Sequence, residues 1–365
     1  MSRLQTILAI LAGGLCLADL GVALVTGGEP ILMLAFFTLG ALSLVRFRLK
    51  LPYWIDGLLA AFGAVALISI LGAGQVQAAH FWFGLIALWA FAWLFVERLS
   101  AALRDKQVPE TGFSLLVPVT FGLSLLVIWE LVTRGANVPT VLLPPPSAIW
   151  QRIIVSLPIL WADFQQTFLK AVLIGYALGC LSGFLVAILV DRSPFLKRGL
   201  LPIGNFVSAL PIIGIAPILV MWFGFDWQSK AAVVVTMCFF PMLVNTVAGL
   251  NAAGPMERNL MQTYAAPYWT TLVKLRLPAA APFIFNALKI NSTLALIGAI
   301  VAEFFGTPIV GMGFRIATSV GRLAIDLVWA EIALAAVVGS AFYGVVALIE
   351  RAVTFWHPSV RGGRT

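Results

Sequence analysis

Long runs of apolar residues without a charge are the feature that most limits what this chain can fold into. One of them is AAVVVTMCFFPMLVNTVAGL at residues 231–250. A helix of about 20 residues is long enough to cross the hydrocarbon core of a bilayer. Lipid offers no hydrogen-bond partner, so a spanning run must be an α-helix or a strand of a closed barrel. Barrel strands alternate apolar and polar residues, and this run does not. The chain is therefore predicted to be an all-α polytopic membrane protein.

Composition and charge placement argue against other classes. Hydrophobic residues make up 61% of the 365 residues and charged residues 10%, whereas about a quarter of a soluble domain is charged. The formal net charge is +8, but the basic residues are scattered singly between apolar runs, so no nucleic-acid partner is expected. The three cysteines lie inside apolar runs without Cys-x-x-Cys spacing. This predicts small buried residues and neither a disulfide nor a metal site.

We predict about ten membrane-spanning helices. They cover approximately residues 5–26, 30–45, 54–72, 80–97, 112–133, 165–190, 200–224, 229–250, 283–304 and 329–350. The loops between them then alternate sides, with 16 basic residues on one side and 5 on the other. Because cytoplasmic loops carry the excess of Lys and Arg, both termini are predicted to be cytoplasmic. No small-x-small cleavage site follows the first run, so it is expected to be a retained span and not a signal peptide.

One stretch predicts a domain boundary. ERLSAALRDKQVPETG at residues 97–112 is the least apolar stretch between spans in the first third of the chain. We expect a four-helix membrane extension over residues 1–98, a cytoplasmic linker over 99–111, a six-helix core over 112–355 and a cytoplasmic tail over 356–365.

The most informative loop is NAAGPMERNLMQTYAAPYWTTLVKLRLPAAA at residues 251–281, which we call the coupling segment. It is too long for a simple turn between helices. Its apolar residues recur near helical spacing; they are Leu260, Met261, Tyr264, Ala265, Trp269 and Leu272. Pro267 suits the first turn of a helix, and Pro278 is expected to end that helix, with Leu277 outside helical geometry. The pattern predicts two short helices, 255–264 and 267–276, hinged at Ala265–Ala266. They either lie on lipid headgroups or dock a cytoplasmic partner.

The coupling segment and the following span, PFIFNALKINSTLALIGAIVAEFFG at residues 282–306, resemble the EAA loop and next span of binding-protein-dependent ABC importer permeases. The resemblance extends to LLPPPSAIW (142–150), ALPIIGIAPILVMWFG (209–224) and FFPMLVNTVAGL (239–250). These segments are similar to the nitrate, sulfonate and taurine branch. NLMQTYAAPYW is similar to relatives associated with pyrimidine vitamin precursors and riboflavin. The resemblance implies a type I (MetI-like) permease core preceded by four extra helices.

Two positions depart from the motif of that family. Asn259 stands where the motif has glutamate, and Ala265 stands where it has glycine. Asn259 can form a hydrogen bond but not an ion pair, which is typically stronger. Glu257 is a possible substitute. The residues that the resemblance assigns to ATPase coupling are Glu257, Asn259, Met261, Tyr264, Ala265, Trp269, Leu277 and Pro278.

The resemblance implies a transport subunit that is not an enzyme and has no catalytic residue, metal or cofactor of its own. ATP and Mg would bind separate ABC ATPase subunits, since this sequence lacks a Gly-x-x-x-x-Gly-Lys-Ser/Thr loop. It further implies a periplasmic or lipid-anchored substrate-binding protein, a permease homodimer, and a place in the bacterial inner (plasma) membrane. The expected cargo is a small organic solute or anion, such as a pyrimidine, a sulfonate or a nitrate-like ion. It would move from periplasm to cytoplasm by alternating access.

Polar residues and prolines inside apolar spans are candidates for the translocation pathway. They are Asn205, Ser208, Pro211, Asn245, Asn286, Lys289 and Thr293. Asn286, Lys289 and Thr293 share a helical face by i, i+3, i+7 spacing. Alternatively, Lys289 and Glu303 extend to the membrane surface, and the amides form packing hydrogen bonds.

Two other functions are considered. A secondary active transporter needs coupling acids within its spans. Only Asp19 and Glu130 lie well inside the predicted spans, and neither has an obvious partner in the sequence. A membrane enzyme with a metal site has little support, because His80 and His357 are the only histidines.

Overall fold

The computed structural model describes residues 3–26, 30–45, 52–72, 79–105, 110–208, 211–306 and 309–356. It describes no side chain at positions 19, 22–26, 30–36, 79–80, 110–114, 201 and 205–208. Every regular element within the described ranges is helical. Seven of the helices in these ranges are long and apolar enough to cross a membrane. The predicted all-α membrane fold is therefore confirmed.

The helices follow one another in the following order. They are α1 (Arg3–Thr26), α2 (Pro30–Val45), α3 (Trp54–Gly72), α4 (Ala79–Arg104), α5 (Glu110–Gly135), α6 (Pro146–Val155), α7 (Leu157–Phe164), α8 (Leu173–Arg192), α9 (Pro194–Ser208), α10 (Ile212–Phe223), α11 (Trp227–Leu250), α12 (Pro255–Thr263), α13 (Tyr268–Thr271), α14 (Leu277–Glu303), α15 (Met312–Gly321) and α16 (Ile325–Val353). Two π-helical turns, Gln165–Val172 and Leu272–Arg276, join α7 to α8 and α13 to α14.

Seven predicted spans overlap the long apolar helices, and the predicted spans 5–26 and 30–45 overlap α1 and α2. The helices Leu157–Arg192 and Tyr268–Glu303 begin well before the predicted spans 165–190 and 283–304. The predicted span 200–224 is not one helix. Helix α9 ends at Ser208, and α10 begins at Ile212 after Pro211, whose backbone is extended (φ −68°, ψ 121°). A proline has no N–H to donate and disfavours helical geometry in the residue before it, so the helix is interrupted there.

The chain divides into two compact units, Met1–Trp150 and Gln151–Thr365. In the first unit, α4 packs on α1, α3 and α5. Buried Leu67, Phe81 and Phe91 lie in the core of this unit. A buried ion pair joins α3 to α4, with Arg98 Nη1 2.5 Å from Asp56 Oδ2.

Glu130, which has no obvious partner in the sequence, is held by three contacts within the first unit. Its carboxylate accepts hydrogen bonds from the backbone N–H of Ser147 (2.9 Å) and the Ser147 hydroxyl (2.7 Å). It also lies 3.2 Å from Arg134 Nη1, one helical turn away. The carboxylate therefore caps the N-terminus of α6, where a negative charge is favourable.

In the second unit, α11 is central and packs most extensively on α14 and α8. Gly175, Gly179 and Gly183 recur every four residues and form one stripe on α8. A Cβ added at Gly175 would lie 2.6 Å from the Val234 Cβ, and one at Gly183 would lie 2.5 Å from the Phe239 carbonyl. Small residues at this spacing let two membrane helices approach closely. The stripe explains the tight α8–α11 contact, and its only signal in the sequence is the four-residue spacing of these glycines.

Candidate functional site

The coupling segment contains a helix, a turn and a second helix, as predicted. Helix α12 covers Pro255–Thr263, and α13 begins at Tyr268 after Pro267. The expected end at Pro278 is wrong, because Tyr268–Glu303 is one continuous helical rod of 36 residues. Leu277 is helical (φ −65°, ψ −45°), and its N–H bonds to the Leu272 carbonyl. This π turn widens the helix ahead of Pro278, which has no N–H to place in it.

The turn after α12 explains why the family motif has glycine at the position of Ala265. Ala265 has a left-handed backbone, with φ of 49°. Its N–H bonds to the Gln262 carbonyl (2.8 Å), and the Ala266 N–H bonds to the Met261 carbonyl (3.0 Å). This is a Schellman motif, in which the left-handed position is usually glycine. The glycine of the family motif thus fits the backbone here, and alanine holds the same conformation with strain.

In the described structure, α12 buries none of its residues. Met256, Leu260 and Tyr264 recur every four residues and are 83%, 55% and 76% exposed. They form one apolar stripe, and Trp269 on the next helix is also exposed. Exposed apolar patches mark interaction sites with a protein or a membrane. Met256 belongs to this stripe and was missed because the expected pattern began at Leu260.

The two polar candidates of α12, Glu257 and Asn259, are both exposed. The side chain of Asn259 is exposed and so is available to a partner. Glu257 folds back so closely on Gly254 that a Cβ added to this glycine would collide with its carboxylate. A carboxylate in the first turn of a helix interacts favourably with that end. Glu257 thus lies close to the start of its own helix and is also exposed, so it stays a possible substitute for the motif glutamate.

The second half of the coupling segment is tied to other helices by a set of side chains that we call the anchor: Asp191, Tyr268 and Arg276. Both terminal nitrogens of Arg276 donate to the Asp191 carboxylate, at 2.7 and 2.6 Å. The Tyr268 hydroxyl donates to the same carboxylate at 3.0 Å. Arg276 Nε donates to the carbonyl of Leu250, the last residue of α11, at 2.9 Å.

Apolar and aromatic contacts surround the anchor. Buried Leu272 packs with Leu250 in one cluster. The Arg192 guanidinium lies 5.8 Å from the ring centroid of Tyr268 and 5.9 Å from that of Trp269. No local motif marks Asp191, Arg192 or Arg276, so the sequence contains no signal that predicts the anchor.

Among the described residues, the pathway candidates Asn286, Lys289 and Thr293 lie on α14, and Asn245 lies on α11. Lys289 forms an ion pair with Glu350 on α16 at 2.7 Å, and Asn245 donates to the carbonyl of Pro241 in its own helix. Asn286 and Thr293 are exposed on α14. Pro211 lies at the break before α10, and the side chains of Asn205 and Ser208 lie outside the described residues. Their roles in a pathway stay predictions.

A buried polar cluster lies at the other end of the second unit. Glu303 is 2% exposed, so the expectation that it extends to the membrane surface is wrong. It accepts hydrogen bonds from the Thr167 hydroxyl and from the Gly313 N–H, both at 2.7 Å. Its carboxylate lies 2.8 Å from where a Cβ at Gly311 would be, and Gly311 has a φ of 142°. A glycine is therefore required at residue 311 on both counts.

Asp163 and Arg315 complete this polar cluster. Arg315 Nε lies 2.8 Å from Asp163 Oδ2, and this hydrogen-bonded pair raises the pKa of the Arg315 guanidinium. Nearby, hydrogen bonds from the Gln166 side chain and the Trp227 N–H lower the pKa of Asp226. The cluster fastens α15 to α7.

Comparison with known proteins decides the family. A family model described as "Binding-protein-dependent transport system inner membrane component" matches residues 171–355. The chain belongs to this family. It is therefore a permease subunit of an ABC importer, and the family match includes α12, its exposed stripe and the anchor.

Several curated proteins are similar to this permease. A probable ABC transporter permease of Haemophilus influenzae is 33% identical over 60% of this chain and 88% of its own length. The formylaminopyrimidine transport permease ThiX of Halalkalibacterium halodurans is 33% identical over 53% of this chain and 78% of its length. The riboflavin transport permease RibX of Chloroflexus aurantiacus is 29% identical over 72% of this chain and 98% of its length. The predicted four-helix extension, residues 1–98, lies outside the family match.

Proposed function

We propose that the apolar stripe of α12 docks on a separate cytoplasmic ATPase, which drives this permease through the coupling segment. The observation that carries the proposal is the contrast between the two halves of the segment. Helix α12 buries none of its described residues, whereas the helix after the turn is bonded to α8 and α11 through the anchor. One half is thus available to a partner, and the other half is attached to membrane helices.

The proposed orientation places the coupling segment and both termini in the cytoplasm of a bacterium, with the protein in its inner membrane. The excess of basic residues in the loops on that side supports this orientation. ATP and Mg would bind the partner. Closure of the ATPase would displace the coupling segment and shift the bundle between inward-open and outward-open states.

The proposed cargo is a small organic solute or anion, delivered by a periplasmic or lipid-anchored binding protein to a pore formed by two copies of the permease. The printed names of similar permeases support this class, since they refer to formylaminopyrimidine, riboflavin, aliphatic sulfonates and taurine. Proteins of one family move all of these, and the choice among them rests on the binding protein.

Co-purification with the ATPase tests the proposal. Replacing Tyr264 and Trp269 together by Asp places two charges on the docking surface, and we expect the ATPase to be lost from the purified permease. The matched control replaces Val320 and Leu323 by Asp, since these are 50% and 64% exposed at the other end of the unit. This control should retain the ATPase.

Two results would contradict the proposal. One is an undiminished yield of ATPase with the Tyr264 and Trp269 variant. The other is uptake by the complete system that stops when an uncoupler is added while ATP is held constant, because a proton-coupled secondary carrier behaves in that way.

A further inference from the structure

Asp191, at the end of α8, binds Arg276 of the coupling segment, and Arg276 also donates to the last carbonyl of α11. We propose that Asp191 is the positioning residue that makes α8, α11 and the Tyr268–Glu303 rod move together when the coupling segment is displaced. The inference rests on the proposed function, because displacement requires a docked ATPase. It assigns a role to the anchor, which is separate from the docking stripe of α12.

The geometry of the anchor favours transmission of movement. The rod is one continuous helix of 36 residues, so movement at Tyr268 passes directly into the membrane. Arg276 crosses from the rod to the end of α8, through Asp191, and to the end of α11, through the Leu250 carbonyl. The ends of α8 and α11 therefore meet the rod at one guanidinium, and one carboxylate holds it with two parallel hydrogen bonds. Such a bidentate pair fixes orientation as well as distance.

The burial of the pair makes it hard to replace. The side chains of Arg276 and Asp191 are 14% and 4% exposed. If Asp191 loses its charge, the positive charge of Arg276 remains uncompensated in a poorly solvated position. Arg276 would then turn toward water or another partner, and the rod would separate from α8. Lysine at residue 276 would keep the charge but could not form the planar fork.

A distance measurement between α8 and the rod tests this inference directly. Spin labels on Leu189→Cys and Val273→Cys report on the two sides of the anchor, since these residues are 59% and 60% exposed. The native Cys16, Cys180 and Cys238 are buried and should not react. The full chain is studied in nanodiscs, first alone and then with the ATPase in ATP and in ATP plus vanadate.

We expect one narrow distance distribution in all three states when the anchor is intact. With Asp191→Asn, the distribution should widen in the chain alone. With vanadate it should shift by about 2 Å or more, the scale of helix displacements in conformational switches, while ATP hydrolysis by the complex continues. Arg276→Lys should widen and shift the distance distribution in the same way. If Asp191→Asn does not fold, Arg276→Lys tests the positioning role in its place.

Asp56→Asn is the matched control. Asp56 and Arg98 form a pair of similar burial, 1% and 18% exposed, within the first unit. This variant should leave the Leu189–Val273 distance unchanged in every state. The control separates loss of the anchor from the general effect of removing a buried carboxylate.

The outcomes separate this inference from the proposed function. If the unmodified chain does not bind the ATPase, the proposed function is contradicted, whatever the anchor does. If Asp191→Asn and Arg276→Lys bind the ATPase and keep the narrow distribution with vanadate, the positioning role is contradicted and docking stands.

Discussion

Restoring glycine at residue 265 should stabilise the turn after α12. Ala265 holds a left-handed backbone with φ of 49°, and that geometry costs an L-residue about 1–2 kcal/mol. Glycine relieves this strain but makes the unfolded segment more flexible, which costs about 0.4–1 kcal/mol. The net stabilisation is therefore about 0.5–1 kcal/mol.

Hydrogen exchange measures this effect at the site, because the turn lies outside the membrane bundle and opens locally. The backbone N–H groups of Ala265 and Ala266 close the turn. A stabilisation of about 0.5–1 kcal/mol should slow their exchange by about two- to fivefold in Ala265→Gly.

Ala266→Gly is the control, because Ala266 is not among the described residues with positive φ. Glycine there only adds flexibility, so exchange should become faster. Equal slowing in both variants, or faster exchange in Ala265→Gly, would refute the assignment of strain to residue 265.

Three further predictions concern the second unit. Gly179→Ala should destabilise the permease by about 1–3 kcal/mol through overpacking, because the added Cβ would lie 2.9 Å from the Cys238 Cβ. A Cβ at Gly344 meets nothing within 4 Å, so Gly344→Ala should not destabilise the permease. Thermal unfolding in detergent compares the two variants, and equal losses of stability would contradict the close-packed stripe. Arg315→Met should cost about 3–5 kcal/mol because it leaves buried Asp163 without its cation, while exposed Arg322→Met should be nearly neutral in the same assay. The pKa of Asp226 is lowered from 3.8 in the folded state, so its stabilising contribution is present above pH 3.8 and is lost as the pH falls through the folded value. Asp226→Asn should lack this loss of stability in acid. An acid-unfolding curve that the substitution leaves unchanged would contradict the stabilising role of the Asp226 carboxylate.

The membrane helices were predictable because lipid imposes helical hydrogen bonding on any spanning run, whatever that run packs against. This is why the bounds of α3 and α11 follow from hydropathy. The break before Ile212 did not follow, since hydropathy records polarity and not backbone torsion. Pro211 was predicted as a pathway residue within one span, and not as the end of a helix.

The coupling segment was predictable in its pattern and not in its ending. Amphipathic spacing and Pro267 correctly indicated two helices with a turn at Ala265–Ala266. Pro278 was misread because a wider helical turn accommodates it, and the packing of Leu272 against Leu250 accompanies that turn. Packing of this kind depends on residues distant in the sequence.

The polar contacts were the least predictable part of the site. Asp191 and Arg276 are 85 residues apart in the chain, and the local sequence around either residue does not predict its partner. Glu303 was likewise read from its position near a helix end, but its partners come from the loop that follows and from Thr167. Side-chain pairs of this kind are determined by the tertiary fold and cannot be read from the local sequence.

Accessibility of α12 from each side of the membrane tests the central claim most directly. Met256→Cys introduces one reactive thiol on an 83% exposed position, and the three native cysteines are buried. A membrane-impermeant maleimide should label it in inside-out vesicles stripped of ATPase, and added ATPase should protect it. Labelling in intact cells, or labelling in vesicles that the ATPase does not change, would contradict a cytoplasmic docking surface.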